Sequence, residues 1–324
     1  MGYFLRRLSF YCIALLVAAT LNFIIPRAMP GDPVTMMFAN VSVQVTPERI
    51  AAMKELLGFV DGGLFIQYIA YMKNILSWEL GTSIQFYPLP VSELLGSAFG
   101  WSLFLAGSAV ILSFSLGSIL GVYAAWKRGS KYDAFITPGM LIIQAVPQVV
   151  IAMIAMFVFA INLKWFPTSY AYTAGNTPDW TSWEFLKDVA YHALLPLFCA
   201  SIIQVGGFLV NMRNNMINLL AEDYITMAKG KGLSEHRILF NYAARNALLP
   251  SVTALSMALG GQLIIEIIFN YPGLGSVLFN AIKARDYQVL QGQLLIMTLF
   301  MLFFNLLADI LYVTLDPRLR QGDH

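Results

Sequence analysis

The residues equipped for chemistry are few, and most lie inside apolar runs. Gln144 and Gln148 stand one helical turn apart, as do Gln262 and Glu266, and Asn305 and Asp309; Gln204 and Asn211 share a further run. Polar groups in a hydrocarbon setting are costly, so they turn toward a wet path or another helix. Uncharged amides suit a path that passes a polar solute without gripping it, and equally suit hydrogen bonds between helices. Glu266 lies just before Tyr271-Pro272-Gly273 and reads as a gate residue or, by preference, as a pin for that loop. Hydrolytic chemistry finds little support. His192, His236 and His324 are the three histidines, His-Glu-x-x-His is absent, and Ser102 is followed by Leu103 where an intramembrane serine protease would want glycine. Gly-x-x-x-x-Gly-Lys-Ser/Thr is also absent, since Gly230-Lys231 lacks the upstream glycine, so the chain itself is not expected to bind or hydrolyse ATP.

The elements that hold these residues follow from composition. Of 324 residues, 58% are hydrophobic and 12% charged, with mean hydropathy +0.67, against about a quarter charged in an ordinary soluble domain. Lipid is the solvent for most of this chain. A net charge of +2 gives no reason to expect a nucleic-acid partner. Cys12 and Cys199 fall in apolar runs and read as free thiols.

Six stretches free of Asp, Glu, Lys and Arg are long enough to approach or exceed the ~20 residues of helix that cross a bilayer core: Ser9 to Pro26, Trp101 to Trp126, Ala134 to Leu163, Val189 to Met212, Asn246 to Ile265 and Tyr287 to Ala308. Each must be helical, because a backbone in hydrocarbon has to satisfy its own hydrogen bonds. The fold class is therefore an all-α integral membrane protein with six transmembrane helices. The first stretch is not read as a signal peptide, since Pro26-Arg27 is no small-residue cleavage site. Pro138 and Pro147 are expected to bend the third span, and Gly260 and Gly261 to allow close approach in the fifth. The segments on the side of the termini hold 12 of the 20 basic residues in shorter loops, which puts both termini in the cytoplasm.

The outer segments are two. Pro30-Gly31-Asp32-Pro33 ends the first span, and Thr46-Pro47-Glu48 opens a short helix that Gly58 closes. The 30–99 piece reads as a cap over the span ends, ahead of a substrate-contact role. Between Lys164 and Asp188, Trp165, Phe166, Tyr170, Tyr172, Trp180, Trp183 and Phe185 read as interfacial anchors, with stacking on a solute or a docked protein as the alternative.

The inner stretch Arg213 to Arg245 is too polar for a span. Ile217, Leu220, Tyr224 and Met227 recur at helical spacing, Gly230 and Gly232 interrupt, and Ser234 can cap a second short helix bearing Ile238, Leu239 and Tyr242. This predicts a helix-turn-helix that lies on the membrane or docks to a partner.

At these residues the chain resembles a known family. Glu222-Asp223-Tyr224-Ile225-Thr226-Met227-Ala228-Lys229-Gly230-Lys231-Gly232-Leu233-Ser234, continuing through Arg245-Asn246-Ala247-Leu248-Leu249-Pro250, is similar to the EAA loop of type I ABC importer permeases of the dipeptide/oligopeptide branch. Thr226 and Met227 stand in for the first two letters of the motif's name, and Ala228 and Gly232 match it. Phe269-Asn270-Tyr271-Pro272-Gly273-Leu274-Gly275, Arg285-Asp286-Tyr287, Leu315-Asp316-Pro317-Arg318, Pro30-Gly31-Asp32-Pro33 and Pro90-Val91-Ser92-Glu93-Leu94 fit the same branch in order.

The resemblance implies the type I ABC importer permease fold. It would comprise an N-terminus and first span (1–29), an external segment (30–99), a permease core (100–314) with a coupling loop at 213–248, and a tail (315–324). It implies a bacterial or archaeal plasma membrane subunit that pairs with a homologous second permease, two cytoplasmic ATP-binding subunits and an external solute-binding protein. ATP and Mg would sit on the ATPases and no cofactor on this chain. Glu222, Asp223, Tyr224, Ala228, Lys229, Gly230, Gly232, Leu233, Ser234 and Arg237 would form the ATPase-coupling loop, while Gln144, Gln148, Gln204, Gln262 and Glu266 are pathway or gate candidates. Peptides are the implied cargo, with oligosaccharides as an alternative. An ion-coupled secondary transporter is the rival of another class, and it is disfavoured because Glu266 and Asp309 lie toward span ends rather than at the midplane.

Overall fold

A computed structural model describes residues 2–28, 46, 48, 62–248 and 263–315. The 30–33 turn, the short helix expected after Thr46, Gln262, Gly260, Gly261, Pro250 and the 316–318 signature lie outside the described residues, as does the side chain of Asp309.

The described elements are helical. They are α1 (Gly2–Ala28), α2 (Leu64–Leu76), α3 (Val91–Trp126), α4 (Lys131–Ala145), α5 (Gln148–Ala155) running on as π-helix (Met156–Asn162), and α6 (Trp183–Leu220). Then come α7 (Asp223–Gly230), α8 (Glu235–Arg237) continuing through π-helical Ile238–Ala244 into Arg245–Ala247, α9 (Leu263–Ile268), α10 (Leu274–Ala284) and α11 (Tyr287–Leu315). Among the described residues, α3, α6 and α11 are long and apolar enough to cross a bilayer, and α4 with α5 makes a fourth if that bent pair is one span. The apolar part of α1, Ser9–Ile25, is shorter. Most of the expected fifth span is outside the described residues, with Arg245–Ala247 and Leu263–Ile268 helical on either side of the gap.

Three spans differ in detail from the sequence reading. Helix α3 begins at Val91, ahead of Trp101, because Pro90 is suited to a helix start and Glu93 lies in the first turn. Pro138 is carried inside α4, whereas Pro147 stands where α4 ends and α5 begins, and the two helices meet at 95°. With no N–H to donate at that point, the chain breaks rather than bends. Helix α6 does not stop at Met212 but continues to Leu220, 38 residues in all. At 1.5 Å per residue that is about 57 Å, well beyond a ~30 Å core, so its charged ends, including Asp188 and Arg213, project past the apolar stretch Val189 to Met212.

The chain divides into two compact units. One comprises Met1–Trp101 and Pro272–Phe303. There α1 packs on α2 through Phe23 and Tyr68 (ring centroids 5.3 Å apart), and Gly292 of α11 lies against Val91 and Leu95. The other unit comprises Ser102–Tyr271 and Phe304–His324. Its centre is α6. A Cβ on Gly117 would stand 2.7 Å from the Val205 carbonyl oxygen, and one on Gly121 would stand 2.6 Å from that of Leu209, so α3 lies backbone-close to α6. Gly206 of α6 approaches the Met140 carbonyl of α4 in the same manner, at 2.9 Å. In a membrane, where lipid is as apolar as leucine, such small-residue contacts are what drives helices together.

Candidate functional site

The richest local structure is at the α6–α8 end of the second unit. Helix α6 stops at Leu220. Ala221 and Glu222 make the turn, and the Glu222 N–H donates to the Leu219 carbonyl at 3.1 Å. Helix α7 follows, with Asp223 in its first turn and Lys229 in its last, both favourable to the helix dipole. Gly232 leaves α7 at φ +73, a left-handed conformation that glycine enters without cost. Ser234 holds the N-cap position of α8, but its side chain makes no capping hydrogen bond, which corrects the role read for it from sequence.

A single buried cluster welds these turns to the spans. Ile225 and Ala228 of α7 pack with Met212 and Met216 of α6, Val122 and Ala125 of α3, and Ile238, Leu239, Ala243, Ala244 and Ala247 of α8. The apolar face of α7 is therefore Ile225 and Ala228, not the line through Met227. The break at Ala221–Glu222 resets the helical phase, so a count carried through from Ile217 points to the wrong side. Ile217, Leu220, Tyr224 and Leu233 are partly buried against the cluster, whereas Met227 is 62% exposed. Of the coupling-loop residues, Glu222, Asp223, Lys229, Gly230, Gly232, Ser234 and Arg237 are exposed, and Ala228 is not. Beside them Phe240, Asn241, Ala244, Arg245 and Leu248 line an open cleft of ≈ 460 Å³.

An ion pair not foreseen from sequence lies two turns before the end of α6. Arg213 donates through Nε and Nη2 to the two carboxylate oxygens of Asp133, at 2.6 and 2.8 Å. The hydrogen-bonded guanidinium holds the Asp133 carboxyl well below the usual carboxylate range, and the carboxylate in turn raises Arg213. A local hint existed in Ser130-x-x-Asp133, a helix-start pattern, but nothing in it names Arg213 as partner.

The pathway candidates do not form one row. Gln144 is exposed near the end of α4 and Gln148 opens α5, so the 95° break separates a pair that sequence placed on one helix face. Gln204 is half-buried on α6, and its Oε1 has no hydrogen-bond partner among the described residues. Asn211 accepts from Asn215 at 3.3 Å, and Asn215 also donates to the Ala247 carbonyl at 3.2 Å, which ties α6 to α8. Glu266, 1% exposed on α9, accepts the Ser102 hydroxyl at 2.7 Å, and its carbonyl accepts the Tyr271 N–H. Its side chain ties α9 to α3, and its backbone carbonyl closes the turn at 270–271. Ser102 and His192 take different partners: Ser102 is bound to Glu266, and His192 lies against Asp188 at 3.1 Å.

At the opposite end of α6, burial works against the charge of Asp188. Hydrogen bonds from the Thr173 N–H and hydroxyl, with His192 close by, outweigh it and lower the carboxyl. This anchors the preceding loop, whose Tyr172 and Trp180 pack on Phe185 of α6, while Trp165 and Tyr170 in the loop and Trp183 at the start of α6 stay exposed.

With this geometry in hand, comparison with known proteins decides the family. Residues 117–321 match the binding-protein-dependent transport system inner membrane component, and residues 1–99 match the N-terminal domain of such membrane components. The chain belongs to this family. Among similar proteins, the oligopeptide transport system permease protein AppB of Bacillus subtilis is 34% identical over 98% of this chain and 99% of its own length. A putative peptide permease protein of Brucella suis biovar 1 is 31% identical over 98% of both chains. A probable peptide ABC transporter permease protein of Sinorhizobium fredii is 31% identical over 98% of this chain and 99% of its own. As a binding-protein-dependent transport component, the chain is a helical membrane subunit of a transport system.

Proposed function

We propose that this chain is one of two permease subunits of an ATP-driven peptide importer, with α7 as the element on which a cytoplasmic ATPase subunit acts. The observation that carries the reading is the two-sidedness of α7. Its Ile225 and Ala228 side is buried in a cluster continuous with α3, α6 and α8, and its other side presents Asp223, Thr226, Met227 and Gly230 to solvent. A short helix fixed to the spans and bare on its outer face is fit to receive a push and pass it on. The peptide permeases among the similar proteins support peptides as cargo. In this reading both termini and α7 are cytoplasmic, the membrane is the plasma membrane, a homologous permease completes the path, and an external binding protein delivers the peptide. ATP and Mg act on the ATPase subunits, and this chain holds neither.

The test is affinity purification of the tagged chain followed by uptake of a synthetic library of di- to hexapeptides. The expected result is recovery of a second permease and ATPase subunits, with crosslinks from Met227→Cys to an ATPase and ATP-dependent uptake. Crosslinks to lipid alone, or uptake driven by an ion gradient without ATP, would overturn the reading.

A further inference from the structure

One carboxylate joins α4, α6 and the turn that follows α3. Asp133 accepts the Gly129 N–H at 3.2 Å in the turn that ends α3, and the Thr137 hydroxyl at 2.9 Å on its own helix α4. Both its oxygens also take the fork of Arg213 on α6. Asp133 is 6% exposed, and Arg213 stands two turns before the Ala221–Glu222 connection to α7. We propose that Asp133 and Arg213 form the strut that makes α4 follow the coupling helix, a positioning pair for transport in addition to a packing contact. The inference rests on the proposed function above.

The three helices are held in different ways, and the difference locates the strut. Helix α3 lies backbone-close to α6 at two successive turns, at Gly117 and Gly121. Helix α4 packs along α6 through the close approach of Gly206 to Met140, through Gln144 beside Gly206 and Gly207, and through an apolar patch of Met140, Val205 and Leu209 with Ile136 and Ile143 beside it. Apolar contact is non-directional and permits α4 to rotate or tilt about that patch. A bidentate guanidinium–carboxylate pair fixes both separation and orientation, and it does so at the end of α4 remote from the 95° break. With its Asp133 end fixed in this way, α4 turns as α6 turns along its whole length up to the break. Without the fork, the Asp133 end of α4 can swing as α7 is displaced, while its other end and α5 stay packed on α6.

The experiment uses the whole complex in proteoliposomes, measuring ATP hydrolysed and peptide library taken up in the same vesicles. Asp133→Asn is expected to leave hydrolysis running and to lower uptake per ATP by at least about fivefold, the lower end of ordinary coupling between sites. Exchange of the charges, Asp133→Arg with Arg213→Asp, is expected to restore most of that ratio. A purely structural role would reduce the amount of complex and scale both activities together, so the ratio separates the two. Should Asp133→Asn fail to assemble, Arg213→Lys, which keeps the charge and loses the fork, reads the same quantity. A wild-type ratio in the assembled variants overturns the strut and leaves the proposed function standing. A wild-type complex that imports no peptide with ATP overturns that function, and the strut with it.

Discussion

The Ser83 hydroxyl donates to Asp286 Oδ2 at 2.6 Å, across more than two hundred residues of chain. The same oxygen accepts the N–H groups of Ile84 and Gln85 at 2.8 and 3.1 Å, while Oδ1 accepts that of Val289 at 3.2 Å. Asp286 is fully buried and caps α11 as it gathers the 83–85 turn. One side chain thus starts the last span and fixes the loop that leads into α3. Asp286→Asn turns a donor group toward these donors and is expected to cost about 3 kcal/mol, the scale of an unsatisfied buried polar group. Ser83→Ala, which removes one donor, is expected to cost about 1 kcal/mol. Denaturant unfolding of the purified chain measures both, and faster proteolysis within 82–86 should accompany the first.

Two glycines of α3 separate close packing from helix propensity. A Cβ at Gly121 would meet the Leu209 carbonyl oxygen and, at 2.9 Å, the Met212 Cβ, whereas one at Gly107 would meet nothing within 4 Å. Gly121→Ala therefore forces α3 from α6 and is expected to cost about 1–3 kcal/mol. Gly107→Ala is expected to be neutral or to stabilise by up to about 1 kcal/mol. Thermal unfolding of the two variants in one detergent decides it, and equal losses in both would contradict the close approach.

Acid should find the Asp133–Arg213 pair late. The folded carboxyl lies below its ordinary 3.8, so its contribution is complete above that value and is lost as pH falls through the depressed folded value. Arg213, raised by the same contact, stays charged throughout and adds no slope. Stability from this pair is thus expected to be flat between about pH 5 and 8 and to fall below about pH 4, the unfolded carboxylate range. Asp133→Asn should remove that part of the acid slope. An unfolding curve whose slope below pH 4 is unchanged in the variant would refute the assignment.

The spans in α3, α4 with α5, α6 and α11 were legible because hydrocarbon leaves a helix little choice, and the loop motif marked where α7 and α8 lie. Contacts made by folding were less visible. Pro147 announced a disturbance, yet its 95° amplitude depends on what packs at each side of the break. The turn at Ala221–Glu222 carries no glycine or proline, so periodicity counted across it put Met227 inside and missed Ile225. The Arg213–Asp133 pair joins residues eighty positions apart, and single-sequence patterning has no means of pairing charges at that range. Ser102 as the partner of Glu266 was hidden for the same reason.

The turn after α7 depends on backbone conformation rather than on space. A Cβ at Gly232 would meet nothing within 4 Å, yet its φ of +73 is one that L-residues adopt at a cost of about 1–2 kcal/mol. Substitutions should therefore rank by tolerance of the left-handed region and not by size. Asn, which enters that region through local hydrogen bonding, is expected to keep uptake near wild type. Gly232→Ala should lose a few-fold, and Gly232→Val, stiff at its branched Cβ, should lose about tenfold or more if the strain of a forbidden φ melts the turn. Because Lys231 and Leu233 flank the turn, the cost should appear as loss of ATP-dependent uptake with the spans still folded, read by uptake and thermal unfolding on the same preparations. A ranking by side-chain volume, with Asn worse than Ala, would mean that a partner surface packs directly on the glycine and that the backbone explanation is wrong.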